Sequence, residues 1–336
     1  MINLKKNNVI LTLLISLVLI IIISCITYYL ANEDSRRKSE PISSYKEKKQ
    51  ENFDKSSIEK KGKYNNPVIP DGFKKIENDT ASWELDEQGN PKGWNNGLVI
   101  EDNIGNQFVW IPYSSEYDYR YKKLIDIFPS IYKYSGFYIA RFEAGVPNEL
   151  QNTITNISKE LFNIEGIPVS KKGIIPWNYI AFVKAEKNAK NMYKDRNDLT
   201  CDLVSEEIIL YVRNWLYKTN NSISIKNSGN FADSNITFTG LFSTDDGNSY
   251  NYGKNITKTS NIIIATGSSE NTKLNNIYDF YGNIAEYFLL SETIYDVRLG
   301  KAYADFYDNS SSGYSYAQPA SAPNSKIGFR VALYLN

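Results

Sequence analysis

The chain has 336 residues, with 38 basic and 38 acidic side chains, no histidine and two cysteines. Balanced charge leaves no excess of basic residues for a phosphate backbone, so we expect no nucleic-acid partner. The lack of histidine removes the commonest general base, a common zinc and iron ligand, and every nucleophile that depends on an imidazole. Two cysteines cannot form a disulfide framework. The length allows one large domain or two small ones, with tails.

The N-terminal segment predicts a membrane anchor. Residues 9–30 form an uncharged apolar run that is long enough to cross a bilayer as a helix. We expect residues 1–8 in the cytoplasm, 9–30 as an uncleaved signal anchor, and the rest of the chain outside the cell membrane. The alternative is a lipoprotein, because Ile22-Ile23-Ser24-Cys25 resembles a bacterial lipobox in which Cys25 would be lipidated.

The remainder divides into a stalk and one domain. Residues 31–66 are rich in Lys, Glu, Ser and Asn and contain few apolar side chains, which predicts a disordered stalk. Residues 67–336 form the predicted domain. Its apolar pattern predicts strands at three places, residues 107–111, 136–142 and 327–335.

Two helices are predicted between the second and third of these strands. The first opens at Pro176 and carries Ala181, Ala185, Ala189 and Met192 at helical spacing. The second follows Ser205 as N-cap, and its buried stripe consists of Ile208, Val212, Trp215 and Leu216. From 220 to 325 the sequence is rich in Asn, Ser, Thr, Gly and Tyr, which indicates a loop-rich functional region.

Four short blocks in this domain follow one order. They read Gly136-Phe-Tyr-Ile-Ala-Arg-Phe-Glu143, Leu203-Val-Ser-Glu206, Asn276-Ile-Tyr-Asp-Phe-Tyr-Gly-Asn-Ile-Ala-Glu-Tyr287 and Ile327-Gly-Phe-Arg-Val-Ala-Leu333. Together they resemble the formylglycine-generating enzymes and sulfatase-modifying factors. The resemblance implies an α+β, loop-rich, C-type-lectin-like domain, here in a non-catalytic bacterial or prophage-type relative with an N-terminal transmembrane helix.

The chemistry of that family does not transfer with the blocks. Its formylglycine-generating members bind copper through a pair of C-terminal cysteines, and this chain has no cysteine after Cys201. Relatives that use iron need histidine. We therefore expect neither copper nor iron, and we interpret Cys201 as a small buried apolar residue.

The resemblance implies structural calcium instead. In relatives the third block binds calcium, and the matching residues are the carboxylates Asp279 and Glu286 and the carbonyls of Gly282 and Ile284. The alternative is that Asn283 and Glu286 only tie the loop to the core by hydrogen bonds. The turn 245–248, with sequence Asp-Asp-Gly-Asn, is a weaker calcium candidate, because acidic glycine turns are common.

The segment before the last strand predicts a ligand-binding face. Residues 298–316 resemble the binding face of C-type-lectin-fold proteins such as variable proteins of retroelements and phage receptor-binding proteins, where Tyr, Asn, Ser and Asp contact the ligand. If the stretch is extended, alternate side chains point outward and Ala304 and Phe306 face the core. The expected ligand-binding residues are Tyr303, Asp305, Tyr307, Asn309, Tyr314 and Tyr316. The alternative is a plain loop packed on the core.

These observations predict a membrane-anchored extracellular protein that binds an unknown protein or glycan and does not catalyse a reaction. The alternatives are a divergent enzyme of the same family and a carboxylate-based hydrolase, whose two acids would have to lie about 5–9 Å apart. A third is a structural surface protein.

Overall fold

The computed structural model describes residues 60–61, 64–65, 67–77, 83–118, 124–147, 165–220, 223–289, 297–299, 301–307, 314–315 and 323–336. The chain divides into Met1–Phe53 and Asp54–Asn336, and every described residue belongs to the second unit. The predicted anchor at 9–30 and most of the predicted stalk lie outside the described residues. Within the described part, no helix is both long and apolar enough to span a membrane.

The described part is a mixed α+β, loop-rich structure, which confirms the predicted class. The α-helices are α1 Leu124–Ile127, α2 Pro129–Tyr134, α3 Phe182–Asn191 and α4 Glu206–Thr219. Short 3₁₀ helices occur at Trp94–Asn96, Ser115–Tyr117, Ile225–Asn227 and Glu270–Thr272. The strands are β1 Lys60–Lys61, β2 Tyr64–Asn65, β3 Phe73–Lys75, β4 Val99–Asp102, β5 Gln107–Pro112, β6 Gly136–Ala140, β7 Leu199–Leu203, β8 Gly229–Asn230, β9 Thr237–Ser243, β10 Asn251–Thr257, β11 Ile263–Ile264, β12 Lys273–Leu274, β13 Ile277–Tyr278, β14 Tyr281–Gly282, β15 Ala285–Phe288, β16 Val297–Leu299, β17 Tyr314–Ser315, β18 Ile327–Phe329 and β19 Val331–Leu335.

A six-stranded antiparallel sheet organises the core. Its strand order is β3-β4-β5-β6-β19-β7. Both faces are covered, since alternate residues along β5 belong to two different apolar clusters. One cluster contains Ala185 and Ala189 of α3, and the other contains Val212 and Trp215 of α4. The central strands are therefore apolar on both sides rather than amphipathic.

Smaller sheets form the loop-rich half. A four-stranded sheet has the order β17-β16-β15-β18, and a three-stranded sheet has the order β10-β9-β11. In the first, β15 and β18 run parallel, with Glu286 opposite Gly328. A parallel bridge between Ser205 and Leu289 joins the start of α4 to the end of β15. These contacts bring the C-terminal loops against the central sheet.

The two predicted helices form, but one begins later than expected. The prediction for α4 is confirmed: Ser205 is its N-cap, and Ser205 Oγ accepts a hydrogen bond from the Ile208 N–H at 3.3 Å. The predicted start of the other helix at Pro176 is wrong, because α3 begins at Phe182. Pro176 instead pairs with Gly145 in a bridge, and Tyr179 has a φ of 51°, which ends any helical run there.

The three predicted strands are confirmed, and the last is divided. Residues 327–335 form β18 and β19, which belong to different sheets and are separated by Arg330. The chain passes from the four-stranded sheet to the central sheet at this residue. Cys201 is confirmed as a buried residue on β7, 2% exposed, and burial raises its thiol pKa well above the ordinary value.

Candidate functional site

The segment 301–307 is a turn that hydrogen bonds hold against the domain. The Tyr303 N–H donates to the Asn283 carbonyl at 2.8 Å, and the Ala302 N–H donates to Asp305 Oδ2 at 3.0 Å. The Asp305 carbonyl accepts from the Ala232 N–H at 3.0 Å, and Lys301 Nζ donates to the Phe306 carbonyl at 2.8 Å. The segment is therefore fixed by tertiary contacts at both ends.

Tyr303 lies beneath this turn, contrary to the prediction. It is 2% exposed and packs with Ile263 and Ala302. Its hydroxyl donates to the Asp246 carboxylate and lies 3.1 Å from Ser325 Oγ. Burial, and then the hydrogen bond to Asp246, raise the pKa of Tyr303.

Phe306 is also oriented opposite to the prediction, with 70% of the residue exposed. The expected inward direction assumed an extended strand with alternating sides. The structure has a turn here instead, so alternation does not apply and Phe306 projects into solvent. An exposed phenylalanine on a fixed turn is the most prominent apolar feature of the segment.

The two other described residues of the predicted face have mixed surroundings. Asp305 Oδ1 pairs with Lys326 Nζ at 2.9 Å, and both side chains are partly exposed. The Tyr307 N–H donates to Asp233 Oδ1 at 2.9 Å, and the Tyr307 ring lies 5.6 Å from the ring of Phe231. Tyr307 is thus half-buried on a neighbouring aromatic ring.

Three more predicted residues fall where little or nothing is described. The backbone of Tyr314 lies in β17, where it is paired with Leu299. Asn309 and Tyr316 lie outside the described residues. A role of any predicted residue in ligand binding stays a prediction.

The calcium block is the centre of a buried ionic network. Arg330 is 0% exposed, and its Nη2 lies 2.7 Å from Glu286 Oε1. Its Nε donates to both oxygens of Glu286, at 2.9 and 3.2 Å. The same guanidinium donates to the carbonyls of Ala140, Tyr278 and Asp279. Arg330 thereby links both sheets at the point where the chain crosses between them.

A second buried carboxylate is bonded to the same block. Glu143 Oε2 accepts from Asn283 Nδ2 at 2.7 Å, and Glu143 Oε1 accepts from the Ile284 N–H at 3.2 Å. Burial, followed by the nearby charges of Asp279 and Glu286, raises the pKa of Glu143 well above its ordinary value. Asn283 and Glu286 do tie this loop to the core by hydrogen bonds, as the alternative to calcium requires, but whether they do only this stays a prediction.

The calcium ligands predicted from this block are arranged around other partners. Asp279 is 1% exposed and its Oδ2 accepts from the Gly267 N–H at 2.7 Å. Glu286 binds Arg330, and Gly282 is paired with Asn230 in a short parallel sheet. Within the described chain, no three or more acidic, Cys or His side chains gather as a metal site. Calcium stays a prediction; the cation beside Glu286 in the structure is a guanidinium.

Arg330 is a structural residue that the residue-by-residue interpretation missed. The strand predicted over residues 327–335 gives Arg330 no role of its own, although the Gly-Phe-Arg-Val block contains it. A charged residue inside an apolar strand, together with an acid in another block, is the signal that could have suggested a buried ion pair. Tyr179, Tyr250 and Ser325, which surround Tyr303 and Asp246, carried no comparable signal.

Comparisons with known proteins give only weak similarity. No family model matches the sequence, and a search of curated proteins finds no significant match. Among solved structures, PvdO from Pseudomonas aeruginosa is 15% identical, with a TM-score of 0.42, and the alignment covers 71% of this chain and 98% of PvdO. CarF is 14% identical, with a TM-score of 0.38, and the alignment covers 60% of this chain and 87% of CarF. Neither similarity assigns a family or an activity.

Proposed function

We propose that this chain is a membrane-anchored recognition protein that binds a protein or glycan ligand outside the cell and does not catalyse a reaction. One observation carries the proposal: Phe306 is 70% exposed on a turn that is hydrogen-bonded to the rest of the domain. A large apolar side chain held in solvent stabilises the fold little. It is suited to serve as an anchor in an interface.

The fixed backbone makes Phe306 an effective anchor. Ordering a loop on binding costs free energy, and a turn that is already ordered avoids that cost. The ion pair between Asp305 and Lys326 and the bond from Tyr307 to Asp233 hold the residues on either side of it. Neighbouring charges are thus paired with each other rather than directed at the ligand, which leaves an apolar contact surrounded by neutralised polar groups.

The buried ionic network supports the proposal that the chain does not catalyse a reaction. Glu143 and Glu286 are 0% and 2% exposed, and each accepts hydrogen bonds from groups of the core. Both side chains are engaged by core groups and shielded from solvent, which makes them poorly suited to contact a substrate. Without histidine in the sequence, they would be the first candidates for acid–base chemistry.

We also propose that the domain is of the sulfatase-modifying-factor type, with a C-type-lectin-like fold. The support is that all four sequence blocks meet in one network. Glu143 of the first block bonds to Asn283 of the third, and Glu286 of the third pairs with Arg330 of the fourth. The N–H of Val204, in the second block, donates to the Arg330 carbonyl at 3.3 Å. Residues that share a sequence signature thus share one structural role.

The recognition proposal is tested with the full-length protein in detergent on glycan and protein arrays. For a ligand found there, we expect Phe306→Ala to weaken binding by about 30-fold or more, as for a central anchor. Ile104→Ala is the matched control, because Ile104 is 54% exposed and does not lie on the turn. If no ligand binds to the arrays, or if Phe306→Ala and Ile104→Ala bind equally well, the proposal is wrong.

A further inference from the structure

The exposed phenylalanine lies between two residues that are bonded to a second turn, residues 231–234. The Asp305 carbonyl accepts from the Ala232 N–H at 3.0 Å, and the Tyr307 N–H donates to Asp233 Oδ1 at 2.9 Å. The second turn follows β8 directly in the chain. Its charged group therefore lies next to the backbone that carries the phenylalanine.

Two ion pairs flank the phenylalanine, and the carboxylate oxygens of both pairs are already bonded. The pairs are Asp233 with Lys226 and Asp305 with Lys326. In each aspartate, one oxygen accepts from a backbone N–H of segment 301–307, and the other lies 2.9 Å from the lysine ammonium. All four carboxylate oxygens thus have a partner within the chain.

The lysines of the two pairs retain hydrogen-bond donors. An ammonium group has three N–H donors and no acceptor. Within the described chain, Lys226 Nζ and Lys326 Nζ each contact one carboxylate oxygen. Their side chains are 50% and 41% exposed, whereas that of Asp233 is 23% exposed. The side chains of the two pairs thus offer a ligand hydrogen-bond donors rather than acceptors.

A third lysine adds positive charge beneath the second turn. Lys258 is buried, and its Nζ donates to the Phe231 carbonyl and lies 3.3 Å from Ser234 Oγ. Burial lowers the pKa of Lys258 to about 8, so the ammonium is still mostly protonated near neutral pH. In the part of the chain that the structure describes, no carboxylate pairs with it, and Asp233 attracts it from a longer distance. Three lysines and two aspartates leave the site with one positive charge.

This combination of groups favours an anionic ligand over a neutral sugar. Each hydroxyl of a sugar is a donor as well as an acceptor, and the carboxylates that would accept from it are already bonded. A carboxylate has acceptors only, and it forms strong hydrogen bonds with ammonium groups. The exposed phenylalanine requires an apolar group beside that carboxylate. An aliphatic side chain next to an Asp or Glu in a protein segment supplies both.

We propose that the face formed by Phe306, Lys226 and Lys326 binds an acidic protein segment, in which an aliphatic side chain packs on Phe306 and a neighbouring carboxylate accepts from an ammonium group. The lysines stay paired with their aspartates, because one ammonium can donate to two carboxylates at once. Complementary charge of this kind determines the choice of partner and the rate of encounter more than the affinity. The assignment rests on the proposed recognition function and names the chemistry of its ligand.

The test uses the full-length protein in detergent on an array of immobilised peptides. Three peptides each contain three repeats of Gly-X-Leu-X, in which X is Glu, Gln or Lys. We expect the Glu peptide to bind about threefold better than the Gln peptide or more, and the Lys peptide to bind least. Raising the NaCl concentration should reduce the advantage of the Glu peptide, because salt screens exposed charges. Equal binding of the Glu and Gln peptides, or no binding of either, would overturn the assignment.

Matched variants assign the effect to these lysines. Lys226→Gln removes one charge, so we expect binding of the Glu peptide to fall by about threefold or more, with little change for the Gln peptide. Lys226→Arg keeps the charge and should bind like the unmodified protein. The control is Lys187→Gln on α3, because Lys187 is 55% exposed and lies 2.8 Å from Glu165 in a comparable pair. No loss with Lys226→Gln, or an equal loss with Lys187→Gln, would contradict the proposal.

Other outcomes identify other ligands and separate the two proposals. Binding of uronic-acid glycans that Lys226→Gln weakens, without binding of the Glu peptide, would replace the protein segment by an anionic glycan and overturn the assignment. A ligand that is lost on Phe306→Ala but unaffected by Lys226→Gln would overturn the acidic partner and leave the recognition function standing. The absence of any ligand would instead contradict the recognition function itself.

Discussion

At the scale of single residues, the ion pair between Arg330 and Glu286 is the most deeply buried ion pair of the described residues. Both side chains are almost completely buried, 0% and 3% exposed. Taking both ions out of water is costly, so the pair is not by itself proof of added stability. Its effect appears when one partner is removed, because the other then stays buried with a charge that nothing compensates.

We predict that Glu286→Gln lowers the free energy of unfolding by about 3–5 kcal/mol, as found for broken buried pairs. Burial raises the pKa of Glu286 and Arg330 lowers it, so the pair is best tested near neutral pH. Chemical denaturation gives the value. The control is Glu186→Gln, which breaks the helical surface pair with Lys190 and should cost about 0.5 kcal/mol or less. A comparable cost for both variants would contradict this account.

Phe306 and Phe329 are both phenylalanines, but we expect their substitution to change the free energy of unfolding by very different amounts. Phe306→Ala should change the free energy of unfolding by about 0.5 kcal/mol or less, since the side chain is exposed. Phe329→Leu, a milder change at a residue that is 0% exposed, should cost about 1–3 kcal/mol. Denaturant titration of the two variants measures both. A large loss on Phe306→Ala would mean that this turn is part of the core.

At the scale of elements, the two helices differ in their N-caps. Ser205 caps α4 through its side chain, and Glu206 and Glu207 follow in the first turn. Ala181 occupies the same position before α3, in an extended conformation and with no side-chain cap. A side-chain cap accepts a hydrogen bond from an N–H group that the helix itself leaves without a partner. The N-terminus of α4 is therefore more stable than the N-terminus of α3.

Exchanging the caps should have opposite effects. Ser205→Ala should destabilise the protein by about 1 kcal/mol, and Ala181→Ser should stabilise it by about 0.5–1 kcal/mol. The backbone at Ala181, with φ −76° and ψ 146°, already suits a capping residue. Thermal and chemical unfolding of the two single variants would test this. Two shifts of the same sign would show that the caps do not limit these helices.

Elements with strong local signals could be predicted from the sequence, and elements set by tertiary contacts could not. Helix α4 has a cap, acidic first-turn residues and an apolar stripe, and all three agree. The sequence predicts too early a start for α3 because Pro176 is a good first helical residue, while the bridge between Pro176 and Gly145 that prevents a helix there is long-range. The division of the last predicted strand into β18 and β19 at Arg330 also depends on long-range contacts, so the local pattern does not show it.

The site was harder to predict than the fold. The tyrosines of 301–307 were assigned directions from strand alternation, and a turn fixed by Asp305, Asn283 and Ala232 replaces the strand. Asn283 and Ala232 lie 20 or more residues away along the chain from the residues that they bind, so no local pattern contains these contacts. The resemblance to a lectin-type binding face and the tyrosine content indicate the segment, and the orientation of each side chain needs the structure.

At the scale of the whole molecule, the central sheet is covered on both faces. An ionisable side chain that is buried there must therefore either be neutral or have a partner of opposite charge. Asp202 lies on the edge strand β7 and is 6% exposed. Its Oδ1 accepts from the Leu203 N–H at 2.8 Å, and its Oδ2 lies 3.9 Å from Lys190 Nζ. Burial outweighs the attraction of Lys190 and raises the pKa of Asp202 to about 7. The protein therefore carries an acid in its core that titrates near neutral pH.

This acid makes global stability depend on pH in a defined direction. The folded state holds the Asp202 proton more tightly than the unfolded state, whose pKa lies near 3.8. The contribution of this proton to the free energy of unfolding is therefore complete below about pH 4 and is lost as the pH rises through about 7.

We predict that Asp202→Asn, which stays neutral and keeps the acceptor for Leu203, has the same stability as the unmodified protein near pH 4 and is more stable than it above pH 7. The difference should reach roughly 4 kcal/mol at most. The raised pKa of Glu143 acts equally in both proteins and cancels. Denaturant titrations at several pH values measure this difference, and one that stays constant with pH would mean that Asp202 is ionised throughout.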